Sequence, residues 1–324
     1  MWSSKDLSRL SFFGPVGSNR TTMQLQYINL ILAIETASSI RGAAVILGKS
    51  QPAVSKALRQ AEADLGVAIF ERGPRGVVPT RHGQVVLRRA HVIKDEMRRL
   101  QDEMSQLRGE LTGDLTVIVS PLTATRLIPP VMRRFRTRFP AVHVQVNAGN
   151  APSAFRPLRE GQCDIVIGPA PQADEANGLT VTRLFRAPIS VITGRNSRYA
   201  AARSLEELKD ADWLLIGPRD RRPVFAQHFA AMGIEAPVPL TTSDSVIALL
   251  SMIEDSDLCA TFPTPSIKGL EARWRISKIA LDEEIKPLPI AISTASLRPL
   301  TPAAQFFHDC MCNAAGQLDG VLRP

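Results

Sequence analysis

The stretch SQPAVSKALRQAEADLG, residues 50–66, read with SSIRGAAVILGK just before it, residues 38–49, decides the first domain. The Ser50 hydroxyl can accept from a free first-turn N–H, which makes Ser50 a helix cap. Pro52 then falls in the first turn, where a missing N–H costs nothing. Gly66 supplies the left-handed residue at which a helix stops. The spacing predicts a helix from Gln51 to about Leu65. Upstream, Ser39 caps a shorter helix that carries Ala43, Ala44 and Leu47 and ends at Gly48. Two short helices about a tight glycine turn, the second opening with small polar residues, form the helix-turn-helix pattern.

Working outward, Leu25, Ile28, Ile31, Leu32 and Ile34 recur at helical spacing from Leu25 to Ala37. Residues 1–22 show no sustained period and read as a loose arm, with Met23 a second candidate start. On the other side, Ile69–Thr80 reads as a hairpin with a basic turn, Arg72-Gly73-Pro74-Arg75-Gly76. Such a hairpin is a wing, suited to the phosphate backbone or the minor groove. From Gln84 to Leu107 the residues Ile93, Met97, Leu100, Met104 and Leu107 repeat in steps of four and three, a heptad seam on a charged helix. Arg81, Arg88 and Arg89 read as its solvated face. A narrow seam needs a covering helix. Its own copy in a dimer is the simplest cover, and the rest of the same chain is the alternative.

Gly109 and Gly113 mark a hinge. Beyond them strand-like runs (Leu115–Val119, Val142–Val146, Asp164–Ile167, Ile189–Ile192, Trp213–Ile216, Pro239–Thr241, Leu258–Thr261, Ile290–Ser293) alternate with helical ones. The helical runs are Pro130–Phe139, Ser153–Glu160, Ser204–Leu208, Val224–Met232, Ser245–Ile253 and Pro302–Ala315. Alternation of this kind predicts α/β architecture with largely parallel sheets.

Composition sets the outer limits. The chain has 324 residues, 44% of them apolar and 22% charged, which fits two or three globular domains. A net charge of +8 and a sequence pI of about 9.7 suit a polyanionic partner. Four unevenly spaced cysteines in so long a chain do not make a disulfide framework. No apolar run approaches the roughly 18–20 residues of a membrane helix. No signal-peptide core precedes Met23, so the expected location is cytoplasmic and no membrane partner is expected.

The segment Ser50-Gln51-Pro52-Ala53-Val54-Ser55-Lys56, with Leu58, Glu62, Leu65, Gly66, Phe70, Arg72, Arg75, Pro79, Thr80 and Gly83, resembles the LysR-type transcriptional regulators. Ile69 where Leu is usual, Gly42 inside the second helix and the long N-terminal extension are mild departures. The resemblance implies a winged helix-turn-helix over 23–83, a dimerising linker helix over 84–108 and an effector-binding domain over 109–324. That last domain would have two periplasmic-binding-protein-like lobes, lobe I at about 114–186 and 286–312 and lobe II at about 187–285. It further implies no enzyme activity and no cofactor. The implied partners are double-stranded promoter DNA, a small-molecule effector, RNA polymerase and further copies of the chain in a dimer or tetramer. The rival class is an enzyme or a solute-binding protein with a fused DNA-binding domain. The first needs a convergent catalytic set that the sequence does not assemble, and the second needs an export signal.

The start of a recognition helix meets base edges in the major groove. Gln51 can pair with adenine, Pro52 offers an apolar face to a thymine methyl, and Ser55 suits a base or a phosphate, with Ser50 beside them. Lys56 and Arg59 suit guanine or phosphate; Arg72 and Arg75 suit the backbone, although Arg72 could instead pair with Glu71 or Glu62. In the second domain, ligands of open α/β sheets bind beyond the carboxyl ends of strands. Ser120, Thr123, Asn150, Arg219 and Ser243 are the candidates there, and the family resemblance implies a sugar, a sugar acid or an aromatic or sulfonated acid as the effector. Ordinary capping explains the Ser, Thr and Asn residues equally well, and Arg219 could pair with Asp220. His308, Cys310 and Cys312 resemble a metal cluster, but positions two apart on a helix point apart, so no metal is expected.

Overall fold

The computed structural model describes residues 25–73, 76–149, 152–217 and 223–322. The arm at 1–22 and the candidates Arg75, Asn150 and Arg219 lie outside them. Contacts divide the chain into two units between Asp95 and Glu96, inside the long helix.

In the first unit, α1 (Leu25–Ala37), α2 (Ile40–Leu47) and α3 (Gln51–Leu65) surround one core. Ile31, Ile34, Ala43, Val54 and Ala61 are fully buried in it. Ser39 Oγ accepts from Gly42 N at 3.0 Å at the start of α2, and Gly48 ends that helix at φ 61°. A hairpin follows, β1 (Phe70–Gly73) antiparallel to β2 (Gly76–Pro79). Glu62 ties it to α3: its Oε1 accepts from Ile69 N at 2.8 Å and Phe70 N at 3.2 Å. One Glu62 oxygen is thus engaged by backbone. The long helix α4 (Arg81–Leu107) starts a turn before the expected Gln84, because Thr80 Oγ1 accepts from Gly83 N at 2.9 Å and caps it. Its first turn crosses β1 so closely that a Cβ on Gly83 would stand 1.9 Å from the Ile69 carbonyl oxygen.

The second unit holds two lobes. Lobe I is built on β3 (Thr112–Val119), β4 (Ala141–Ala148), β5 (Ile165–Pro169), β6 (Leu179–Ala187) and β12 (Leu288–Ala295), ordered β4-β3-β5-β12-β6. Alternation on β3 sends Leu115, Val117 and Val119 into one core and Ile118 into another, so the sheet is covered on both faces. The first face carries α6 (Ile128–Arg138) and α11 (Pro302–Leu322), with Phe135, Phe139 and Phe307 interlocked. The second carries α7 (Phe155–Glu160). The short α5 (Pro121–Arg126) follows β3 directly.

Lobe II has a sheet of β7 (Ile189–Gly194) between β10 (Ala260–Pro263) and β11 (Ile276–Lys278), and a pair, β8 (Leu214–Ile216) with β9 (Thr241–Ser243). Its helices are α8 (Ala226–Ala231), α9 (Val246–Glu254) and α10 (Thr264–Glu271). The chain leaves lobe I after Ala187 and returns at Leu288.

The sheets are mixed, which corrects the largely parallel expectation. β3 is parallel to β4 and β5, but β12 runs antiparallel to β5 and β6, and β7 antiparallel to both neighbours. The physical reason is the return crossing, which feeds β12 into the sheet from the opposite end. Two further differences are short elements: Ser204–Leu208 is only a 3₁₀ turn, Glu206–Leu208, and the strand at Pro239–Thr241 is displaced to β9.

Within this unit the second half of α4 lies against lobe I through polar side chains. Arg99 is buried. Its Nη2 meets Asp164 Oδ1 at 2.8 Å and donates to the carbonyls of Gly161 and Cys163 at 3.0 and 3.3 Å. Gln106 donates to Thr112 O and accepts from Ala303 N, both at 2.9 Å. Glu96 pairs with Arg298 at 2.9 Å. The other side of the helix keeps its apolar seam in solvent: Met97, Leu100, Met104 and Leu107 are exposed, and only Ile93 packs on the first unit's core.

Candidate functional site

The first site is the outer face of α3. Val54, Leu58 and Ala61 point inward, which turns the remaining positions out. Gln51, Pro52, Lys56 and Arg59 are exposed, and Ser55 is half-buried one turn in. Ser50 Oγ caps the helix, accepting from Ala53 N at 3.4 Å. The surface of the first helical turn is therefore amide, ring and hydroxyl, with two cations behind it, which can dock a base edge flanked by phosphates. Arg72 belongs to β1 of the hairpin, whose start is tied to α3 by Glu62.

The second site lies between the lobes. A cleft of about 1130 Å³ has apolar walls from Val119, Pro121, Ala124, Ala148, Phe262 and Leu270. Among the described residues, the cations Arg126, Lys268 and Arg273 and one acid, Asp244, are set into these walls. It shares Pro121 with a space of about 70 Å³ bordered by Ser120. That space shares Pro169, Val224 and Leu288 with a third cavity of about 640 Å³, which carries Arg186, His228, Lys286 and Glu175. Through these shared residues the three cavities adjoin in a row, an interlobe trough lined from both lobes.

The hydroxyls chosen from the sequence are occupied within the fold. Thr123 is fully buried, and its Oγ1 contacts Ser120 O, Ile167 O and Ser120 Oγ at 2.9, 3.0 and 3.1 Å. These contacts fasten α5 to the end of β5, so the Thr123 side chain does not reach the cleft. Ser120 is buried beside it. Ser243 Oγ donates to Ser245 O and accepts from Ser245 N, at 3.2 and 3.1 Å, shaping the turn into α9. The charged lining went unnoticed in the sequence. Lys268 and Arg273 sit on and just after α10, a helix hidden by Pro263 and Pro265 at its start. Arg126 closes α5, and its position directly after the strand-end segment Ser120–Thr125 was the available signal.

Polar cluster chemistry elsewhere is quiet. Cys310 is buried, Cys312 half-buried, and Cys312 Sγ comes only to 3.9 Å from His308 Nδ1. Among the described residues no group of three metal-ligating side chains assembles.

The order of a helix-turn-helix before a two-lobed α/β domain can be compared with known proteins. Residues 25–84 match the model of the bacterial regulatory helix-turn-helix protein, lysR family, and residues 108–315 match the LysR substrate binding domain. The chain belongs to the LysR family of transcriptional regulators.

Among LysR-type relatives, the HTH-type transcriptional regulator GbpR of Azospirillum brasilense is 24% identical over 291 residues, 88% of this chain and 85% of that protein. The SDS degradation transcriptional activation protein of a Pseudomonas species is 28% identical over 286 residues, 87% of this chain and 93% of that one. A crystal structure of full-length CbnR with its target DNA has a TM-score of 0.67 at 21% identity, covering 90% of this chain and all of that one (100%). At that identity the likeness speaks to the fold. As in other LysR-type regulators, an N-terminal DNA-binding helix-turn-helix is followed by an effector-binding domain, and no helix among the described residues is long and apolar enough to cross a membrane.

Proposed function

We propose that this LysR-type regulator reads promoter DNA with Gln51, Pro52 and Ser55, and responds to an organic acid with an apolar body held in the trough between the lobes. The observation that carries the effector class is the charge of the large cleft. Arg126, Lys268 and Arg273 outnumber Asp244 on walls that are otherwise mainly hydrocarbon. Cations surrounded by apolar surface favour a carboxylate, sulfate or sulfonate attached to a hydrophobic group over a neutral sugar, which needs many paired hydroxyls. The name of the Pseudomonas relative, an activator of SDS degradation, points to the same chemistry. The exposed seam of Met97, Leu100, Met104 and Leu107 supports pairing of α4 with a second copy, as heptad helices pair.

A thermal-shift screen tests the class, since a ligand of the native state raises its melting temperature. Aromatic and alkyl acids should raise it and change binding to labelled promoter DNA, whereas neutral sugars should not. A shift from sugars alone would transfer the reading to polyhydroxylated effectors.

A further inference from the structure

Arg126 occupies a position that the effector class alone does not explain. It is the last residue of α5, in lobe I, and its Nη2 donates to the carbonyl of Pro265, in the first turn of α10 in lobe II, at 2.6 Å. Both residues line the large cleft. α5 is held rigidly at its base by Thr123, whose hydroxyl is anchored to Ile167 O at 3.0 Å. The guanidinium therefore reaches across the cleft from a fixed support. Among the described residues no carboxylate pairs with it; its hydrogen-bond acceptor is a neutral carbonyl. Next to that carbonyl, Ser266 Oγ is buried without a hydrogen-bond partner, and Lys268 follows within one turn.

A guanidinium presents several N–H donors in a planar fork, which matches an anionic group by charge and can hold two of its oxygens at once, whereas a single carbonyl offers one neutral oxygen. An acid group entering this cleft would offer Arg126 a better partner than Pro265 O. We propose that Arg126 is both an interlobe latch and the anchor of the effector's anionic group. In the ligand-free protein the latch holds α10 against α5; a bound anion draws the guanidinium away from Pro265 and releases lobe II. The anchor half rests on the organic-acid reading given above, and the latch half does not. The exchange of acceptors is the physical event by which cleft occupancy alters the relation of the lobes, since a ligand shifts a two-state equilibrium only by differential contacts.

The test uses the full chain, with decyl sulfate as the anionic probe and decyl glucoside as a neutral probe of the same chain length. Binding is followed by isothermal titration calorimetry, below the concentration at which either probe forms micelles. Arg126→Gln should weaken decyl sulfate binding about tenfold or more, the scale of one lost charge-assisted hydrogen bond. It should leave decyl glucoside binding unchanged, and Arg126→Lys should fall between. The second arm needs no ligand: Arg126→Gln should speed hydrogen exchange at the first-turn amides of α10, Ser266 to Lys268. Decyl sulfate should do the same to the wild type. Equal decyl sulfate affinity in wild type and Arg126→Gln overturns the anchor. Unchanged exchange in Arg126→Gln overturns the latch. A wild type that binds neither decyl sulfate nor decanoate overturns the effector class and the anchor together, and the exchange arm still decides the latch.

Discussion

Replacing Arg99 by Met would strip the linker helix of its deepest hold on lobe I. Arg99 and Asp164 lie 2.8 Å apart, with side chains only 11% and 9% exposed. Without the guanidinium, Asp164 keeps one hydrogen bond, accepted by Oδ2 from Thr116 N at 2.8 Å, and the carbonyls of Gly161 and Cys163 lose a donor. Breaking a buried pair from one side costs about 3–5 kcal/mol, because the remaining charge stays buried. For a domain of this size each kcal/mol lowers Tm by roughly 2–4 °C, so the second unit should melt on the order of 10 °C lower. Calorimetry, which follows both units, gives the assay. The pH dependence adds a second test. Burial pushes the Asp164 carboxyl above its ordinary value, and Arg99 pulls it part of the way back. A folded-state pKa above the unfolded one means that the native protein holds the proton more tightly; the stability this contributes is present in acid and lost as pH rises through the raised value. Removing Arg99 raises that pKa further, so the defect of Arg99→Met should be large at neutral pH and shrink on acidification. Arg99→Met with Asp164→Leu removes both charges and should recover a large part of the loss. A single variant that melts with the wild type, or a double variant no better than the single, would refute this account.

Gly83→Ala places a methyl 1.9 Å from the Ile69 carbonyl oxygen. It should cost about 1–3 kcal/mol or more in the first unit, seen as a lower first calorimetric transition and lost specific DNA binding. Gln51→Ala should weaken operator binding by roughly 1–3 kcal/mol and leave nonspecific binding intact in a competition assay. Leu100→Asp alters a side chain that is 59% exposed in the single chain, so the fold should survive while light scattering reports loss of the dimer. An unchanged oligomer would place the contact elsewhere. Burial pushes the thiols of Cys163 and Cys259 up to about 12. Both should resist iodoacetamide in the native protein at about pH 8, with half-buried Cys312 labelled ahead of them.

The helix-turn-helix was legible because local signals decide it. Ser39, Gly48, Ser50, Pro52 and Gly66 act on their own neighbours, and all take the capping or turn role that their chemistry implies. β6 was not legible: it lies at the edge of its sheet, so Leu179–Ala187 mixes Thr and Arg with the buried Leu179, Phe185 and Ala187 and offers no apolar run. α10 was masked by prolines that break helices elsewhere but sit harmlessly at the start of this one. In the sequence Arg99 is one more charge on a charged helix. Only the approach of residues 161–164, distant in sequence, makes it a buried group. The trough shows the same limit. Ser120, Thr123 and Ser243 stand at or just past strand ends, but the hydroxyls of Thr123 and Ser243 are taken up by the backbone and that of Ser120 by Thr123, while the cations come from α5 and the α10 region. Which partner a polar side chain finds depends on tertiary approach.

The strand order of lobe I also bears on how the chain matures during synthesis. β12 lies between β5 and β6, so an interior strand of that sheet is supplied by residues 288–295, more than a hundred positions after β5 ends at Pro169. A growing chain extends by about 5–20 residues per second, which leaves a gap on the order of ten seconds. During it β5 and β6 each present an unpaired edge, a template for misassociation between neighbouring nascent chains. The DNA-reading unit is complete far earlier. Each molecule therefore passes through an interval in which its reading head is finished and its sensor is an open sheet, and premature termination before Leu288 would release a DNA binder with no working means of control.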